Sequence, residues 1–429
     1  PDIYVLYCGE EREYTMADIR NFNGNEPKTK QKNPLRKQSN LRLLKKEDTA
    51  DYKEKIRKHR LSNLYKTTLV IVICAAVVLL LFILYRNKKY TDYTVKTTVP
   101  QVFVGGTESL RLGENILSYS KDGARCMDSA GNVIWNQTYE MQNPIISVCE
   151  DVVAIADYNG RTIYIQSSAK QLGTITTNLP IRNLEVASNG VVSAVVEDSK
   201  VTWIYVFDTA GKELLKFHIT MEQTGYPIAV SLSPNALLCA VSYFYVDAAE
   251  MKSSIAFYNF DEYGKNQTDN LVGGYDYSDT VVPYICFMNN SAAFAIGDDC
   301  LLFFAGGQKP ELKTVYYFDT EIRSVYHNEE YVGLVFENQT GDKTYRLEIY
   351  DKNGNLVRKQ DFDIAYDDIV FYQDTYAIYN EEACLIGTMD GRIKYNGTFQ
   401  EKVNLLIPTG KGYTYTLVTE DALQTIQLK

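Results

Sequence analysis

The side chains able to do chemistry in this sequence are few and scattered. Three histidines occur, His59, His218 and His327. His59 sits in a basic stretch, and the other two sit in strand-like contexts without a paired ligand motif. None reads as a metal ligand or a general base. The eight cysteines form no C-x-x-C and no adjacent pair. Cys149, Cys239 and Cys286 alternate with apolar neighbours and read as small core residues. The acidic pairs Asp298-Asp299 and Asp363/Asp367/Asp368 do not follow the D-x-D-x-D-G spacing that wraps oxygens around Ca²⁺, and they read as solvated turns. No G-x-S-x-G, H-E-x-x-H, phosphate-binding P-loop or G-x-G-x-x-G context is present. The expectation is therefore no cofactor, no metal and no enzyme. The residue type in excess is tyrosine, 34 against two tryptophans. Tyr243 and Tyr245 lie two apart, and so do Tyr275 and Tyr277. Strand alternation puts each pair on one face, where rings with polar tips suit recognition of a protein or stacking on a wall polymer. These four tyrosines are the candidate partner-binding residues.

The elements that position them start from a charge asymmetry. Residues 1–66 carry 16 Lys+Arg against 10 Asp+Glu, while residues 67–429 carry 28 against 44. A basic arm precedes an acidic body, and an acidic body argues against nucleic acid as partner. Between them, 67–85 reads TTLVIVICAAVVLLLFILY without a charge. Those 19 residues reach about 28 Å as a helix, close to a hydrocarbon core of about 30 Å. Fourteen Lys/Arg precede the span from Lys28 to Lys66, and only Arg86, Lys88 and Lys89 follow it at once. That bias keeps the N-terminus in the cytoplasm and the C-terminal body outside. The expected organisation is a cytoplasmic arm over 1–66, a transmembrane helix over 67–85, a linker over 86–100 and an extracytoplasmic domain over 101–429. Within the arm, Ile3–Tyr7 is compatible with a strand, 25–40 reads as disordered, and 41–66 as helix with Asp51/Lys55 and Glu54/Lys58 pairs.

Beyond residue 100 the pattern changes to short apolar alternations between Gly, Asn and Asp turns. D-x-x-G occurs at Asp128–Gly131, Asp157–Gly160, Asp208–Gly211, Asp261–Gly264 and Asp351–Gly354. There Asp is expected to accept backbone hydrogen bonds and Gly to supply a positive φ. Innermost strands are expected to begin near Ser109, Ile145, Ile181, Ile228, Tyr284, Ile322, Asp367 and Val403, at spacings of 36 to 56 residues. Units of this length holding four strands predict a β-propeller, all-β, with eight blades and seven as the alternative. A stack of sandwiches would also use such strands. The last unit is one strand short, and Val102–Gly105 is expected to complete it and close the ring. The fourth unit, at 56 residues, is the longest, and its excess falls at 241–254 and 266–280, around the four tyrosines.

Seven stretches carry a family resemblance: NVIWNQTYEMQNPI (132–145), VAIADYNGRTIYI (153–165), TGYPIAVSLSP (224–234), KSSIAFYNF (252–260), DNLVGGYDYSDTVVP (269–283), YVGLVFEN (331–338) and LIPTGKGYTYTLVT (406–419). The chain resembles an uncharacterised family of single-pass membrane proteins of anaerobic Gram-positive bacteria. That family carries a quinoprotein-like or WD40-like propeller outside the membrane. The resemblance implies fold and topology and no chemistry. For an anaerobe it also implies free thiols at Cys126, Cys149, Cys239, Cys286, Cys300 and Cys384 rather than disulfides. Quinone-dependent dehydrogenases use such a fold, but they hold their cofactor between a tryptophan and a ring of adjacent cysteines. Here Trp135 and Trp203 stand in blade strands and no such cysteine pair exists. The expected function is a membrane-tethered binding or scaffold module for envelope proteins or wall polymers, contacting the bilayer through 67–85. A single-pass sensor coupled to the arm is the alternative, and a propeller enzyme the second.

Overall fold

A computed structural model describes residues 46–103, 105–198, 201–219, 225–247, 250–278, 280–339, 342–410 and 412–429. The strand and disorder expectations within residues 1–45 lie outside the described residues.

One helix runs from Lys46 to Arg86 without a break, 41 residues that span about 62 Å. Its basic half carries the expected ion pairs, Lys55–Asp51 at 2.8 Å and Lys58–Glu54 at 2.9 Å. Its second half contains the apolar run, whose leucines, valines and isoleucines are exposed on every side. This helix is long and apolar enough to cross a membrane.

The body is an eight-bladed β-propeller. Eight four-stranded antiparallel sheets follow one another, at 108–138, 144–176, 181–219, 226–277, 284–317, 322–362 and 368–398 for the first seven blades, and 403–428 plus one early strand for the eighth. Every innermost strand begins within two residues of the position expected from the repeat. Several of the second and third strands are buried on both faces and read as unbroken apolar runs, such as Val152–Asp157, Ala292–Ile296 and Cys300–Ala305. The outermost strands instead alternate exposed and half-buried residues, as in Val133–Thr138 and Leu356–Phe362. The molecule has no single central core. Eight apolar clusters fill the eight seams between neighbouring blades. The smallest closes blade eight onto blade one through Ile116, Met127, Leu405, Ile407, Val418 and Leu423.

The closing strand is Tyr93–Pro100, not Val102–Gly105. It pairs antiparallel with Ala422–Leu428, from Tyr93 opposite Leu428 to Pro100 opposite Ala422. The propeller thus begins inside the stretch expected to be linker. A bulge between Val95 and Thr97 decides its role. One extra residue flips the alternation of a strand. Tyr93 and Val95 therefore face the seam with blade seven, while Val99 faces the seam with blade one. A single eight-residue strand serves both seams. Val102, by contrast, is 82% exposed.

The D-x-x-G turns divide into two groups. Asp128, Asp208 and Asp351 each join a third strand to a fourth. Each accepts from two backbone N–H groups at 2.8–2.9 Å, with a positive-φ glycine at 80° or 81°. Asp157 and Asp261 depart from the expectation, because neither Gly160 nor Gly264 has a positive φ. Asp157 instead accepts from the Gln142 and Asn143 N–H groups across a hairpin, and Asp261 caps the one-turn helix Glu262–Lys265.

Candidate functional site

Blade four departs from the others where its sequence is longest. Its middle strands, Leu238–Asp247 and Glu250–Asn259, have ten residues each, against five to eight in every other described strand. The neighbouring strands stop short of them. The inner strand ends its pairing at Tyr226 opposite Phe244, and the outer at Tyr277 opposite Ser253. The rungs Tyr245–Lys252, Val246–Met251 and Asp247–Glu250 therefore project beyond the blade, about 10 Å of two-stranded ribbon. Val246 and Met251 face each other near its tip and are 63% and 62% exposed.

The four tyrosines do not form one surface. Tyr243 is a core residue in the seam with blade three, and its hydroxyl is 2.9 Å from that of Tyr258. Tyr275 and Tyr277 pack on the opposite face, in the seam with blade five. The Tyr275 hydroxyl donates to the Pro310 carbonyl at 3.2 Å and accepts from the Leu312 N–H at 3.1 Å, stitching the two blades together. The Tyr277 hydroxyl is buried without a partner among the described residues. Only Tyr245, half-buried, belongs to the projecting ribbon. Equal spacing along a strand fixes a shared face, but in a propeller both faces of a blade are covered by neighbours. Val246 and Met251 lie within the stretch that the length excess marks, as an apolar pair directly opposite each other.

The second distinctive region is the central channel, where the innermost strands meet. A cavity of about 990 Å³ opens there between blades five, six and seven, walled in part by Tyr284, Arg323, His327 and Asp368, with Arg111 reaching in from blade one. The Tyr284 hydroxyl lies 2.9 Å from His327 Nε2, and Cys286 Sγ lies 3.7 Å from the same nitrogen. This is a thiol beside an imidazole, but not an activated pair. Burial pushes the Cys286 thiol up to about 12, and the walls around His327 lower its pKa although the ring is still open to channel water, so both are neutral at pH 7. A nucleophilic cysteine needs the opposite shift. Asp368 is raised by burial and accepts from the Tyr379 hydroxyl at 2.9 Å.

Glu185 stands half-buried on the innermost strand of blade three. Its Oε2 accepts from Ser147 Oγ at 3.1 Å, and Ser147 Oγ in turn accepts from the Val186 N–H at 3.0 Å. Burial pushes the carboxyl up to about 7, against the lowering by Ser147. Its charge is felt at Cys149, Cys239, Tyr284 and Cys286, whose pKa values it helps to raise. The sequence signal for Glu185 is one acid inside an innermost strand (IRNLEV), where its neighbours Leu184 and Val186 are core.

The other chemical candidates stand away from the axis. Trp135, on the outermost strand of blade one, donates to the Ser167 carbonyl at 2.8 Å. Trp203 packs on His218 at 4.6 Å between ring centroids. The described cysteines, Cys74 and the six of the propeller, are all free thiols.

Residues 86–428 match DUF5711, described as a family of unknown function. No curated protein matches the chain. Among solved structures, BamB from Moraxella catarrhalis is 10% identical, covering 79% of this chain and all of that one, with a TM-score of 0.45. Sqt1 from Chaetomium thermophilum, bound to the N-terminus of the ribosomal protein L10, is 11% identical over 74% of this chain and 94% of that one, with a TM-score of 0.46.

Proposed function

We propose, for a chain that belongs to DUF5711, a family of unknown function, that it is a membrane-tethered binding module whose propeller recognises an envelope protein outside the cell. The observation that carries this reading is the projecting ribbon of blade four. Exposed Val246 and Met251 at its tip lose nothing by packing on a partner and gain roughly 25 cal/mol for each Å² of apolar surface covered. The same feature favours a protein over a wall polymer. Sugar rings stack on flat, exposed aromatic faces, and Tyr243, Tyr275 and Tyr277 are committed to the seams between blades. The apolar helix supplies the tether, and the cation bias at 28–66 supports an orientation with the arm inside.

The test places a photo-crosslinking amino acid at Val246 or Met251 in living cells, with the exposed blade-six residue Leu356 as the control position. A discrete protein adduct is expected at the first two positions and not at the control. Val246→Ser with Met251→Ser should abolish it while leaving the melting temperature within about 1–2 °C, because exposed positions contribute little to folding. Adducts of equal yield at all three positions, or none, would refute the ribbon as the docking element.

A further inference from the structure

We infer that the end of the apolar helix and the adjoining corner of blade seven form a seat for anionic lipid headgroups. The inference rests on the reading of that helix as a membrane span. The helix ends at Arg86, and the segment after it folds onto the outermost strand of blade seven, Ile393–Thr398, and the turn before that strand. Arg86 pairs with Asp390 at 2.5 Å, and Arg392 pairs with the same carboxylate. Arg392 also donates to the Asn87 side-chain oxygen at 3.3 Å, and the Tyr90 N–H donates to the Lys394 carbonyl at 2.7 Å.

Lys394 organises this corner. It is 3% exposed, and among the described residues its ammonium has no ion pair. It donates instead to the Arg86 carbonyl at 2.5 Å and to the Lys88 carbonyl at 3.4 Å. A helix end leaves such carbonyls without intrahelical partners, and a cation there also complements the helix dipole. The Tyr413 ring lies 5.3 Å from the same ammonium and 5.1 Å from the Tyr90 ring. Residues 86–90 are therefore held on the blade. Five cations come together, Arg86, Lys88, Lys89, Arg392 and Lys394. Two carboxylates answer them: Asp390, and Asp374 within electrostatic reach of Lys394. Asp92 is engaged by Lys429 at 3.1 Å. Lys88 and Lys89 are exposed and make no ion pair among the described residues. This basic corner belongs to a body that carries 28 Lys+Arg against 44 Asp+Glu.

Position selects the partner. The uncharged run ends at Tyr85, so residues 86–89 stand where hydrocarbon gives way to phosphate. Under the orientation proposed above this flank lies outside, where topology alone calls for few cations. Attraction to anionic headgroups supplies a reason for them. Each cation near such a surface strengthens association about fivefold, and the effect fades within a Debye length of about 8–10 Å. An acidic body without this corner would be repelled by the same surface.

The test begins by floating the full chain with neutral phosphatidylcholine vesicles. Failure to float overturns the span reading and this inference with it. Native mass spectrometry then counts the lipids retained by the full chain from micelles holding equal phosphatidylglycerol and phosphatidylcholine. Phosphatidylglycerol should be retained in preference. Lys88→Ser with Lys89→Ser should cut that preference about 5–25-fold at unchanged melting temperature. Lys170→Ser with Lys309→Ser, which removes the same charge from exposed sites on blades two and five, should leave it intact. Lys394→Met keeps Lys88 and Lys89 but releases the carbonyls that hold them, and should also lower the preference. Floating without a preference for phosphatidylglycerol, an equal loss in the blade-two and blade-five variant, or full preference in Lys394→Met would overturn the seat alone. Displacement of the lipid by equimolar glycerol 3-phosphate would assign the site to a free phosphate and overturn the lipid.

Discussion

Replacing Tyr93 tests the ring closure, because the whole propeller depends on a strand that the repeat pattern does not announce. Tyr93 is 3% exposed. Its ring stands edge-on to Tyr395 at 6.5 Å, and its hydroxyl accepts from the Gln400 N–H at 2.7 Å. Tyr93→Ala empties an aromatic site between blades seven and eight, which typically costs about 3–5 kcal/mol. Tyr93→Phe keeps the ring and forfeits one hydrogen bond, about 1 kcal/mol. Val102→Ser changes an exposed side chain and should cost under about 0.5 kcal/mol. At roughly 2 °C per kcal/mol, the low end for larger domains, the first variant should melt about 6–10 °C below the parent and the second about 2 °C below it. The third should be indistinguishable. The assay is thermal melting of the full chain followed by near-ultraviolet circular dichroism, which reports the tyrosine environments in the seams. If Val102→Ser lowers the melting temperature more than Tyr93→Ala, the closure lies at 102–105 and the bulge argument fails.

Glu185 makes stability depend on pH in a definite direction. Its folded pKa, about 7, lies above the ordinary 4.5, so the stability its neutral form contributes is complete below about pH 4.5 and lost as pH rises through 7. Glu185→Gln should therefore match the parent at pH 4 and exceed it at pH 8 by up to about 3 kcal/mol; urea melts at the two pH values compare them, and equal differences would sink the claim. For topology, protease added to intact protoplasts should digest the propeller and spare residues 1–66, whereas a protected C-terminus would reverse the proposed orientation.

The sequence alone was enough for the repeat, the blade count and the apolar helix. Those rest on local properties: the alternation of residues along a strand, turn chemistry at fixed intervals, and an uncharged run of membrane length. Eight inner strands recurring at 36 to 56 residues leave few other folds. What it did not carry is which side of a strand meets which neighbour. Tyr93 and Val99 are both odd positions and look like one face, yet the bulge after Val95 sends them to different seams. Tyr243 and Tyr245 do share a face, but only the projection of the hairpin past Phe244 decides that the first is core and the second is half-open. Arg111, Tyr284, His327 and Asp368 line one cavity, yet they lie across 258 residues of sequence and come from four blades. Their meeting at the axis is a consequence of closing the ring, which no local pattern encodes.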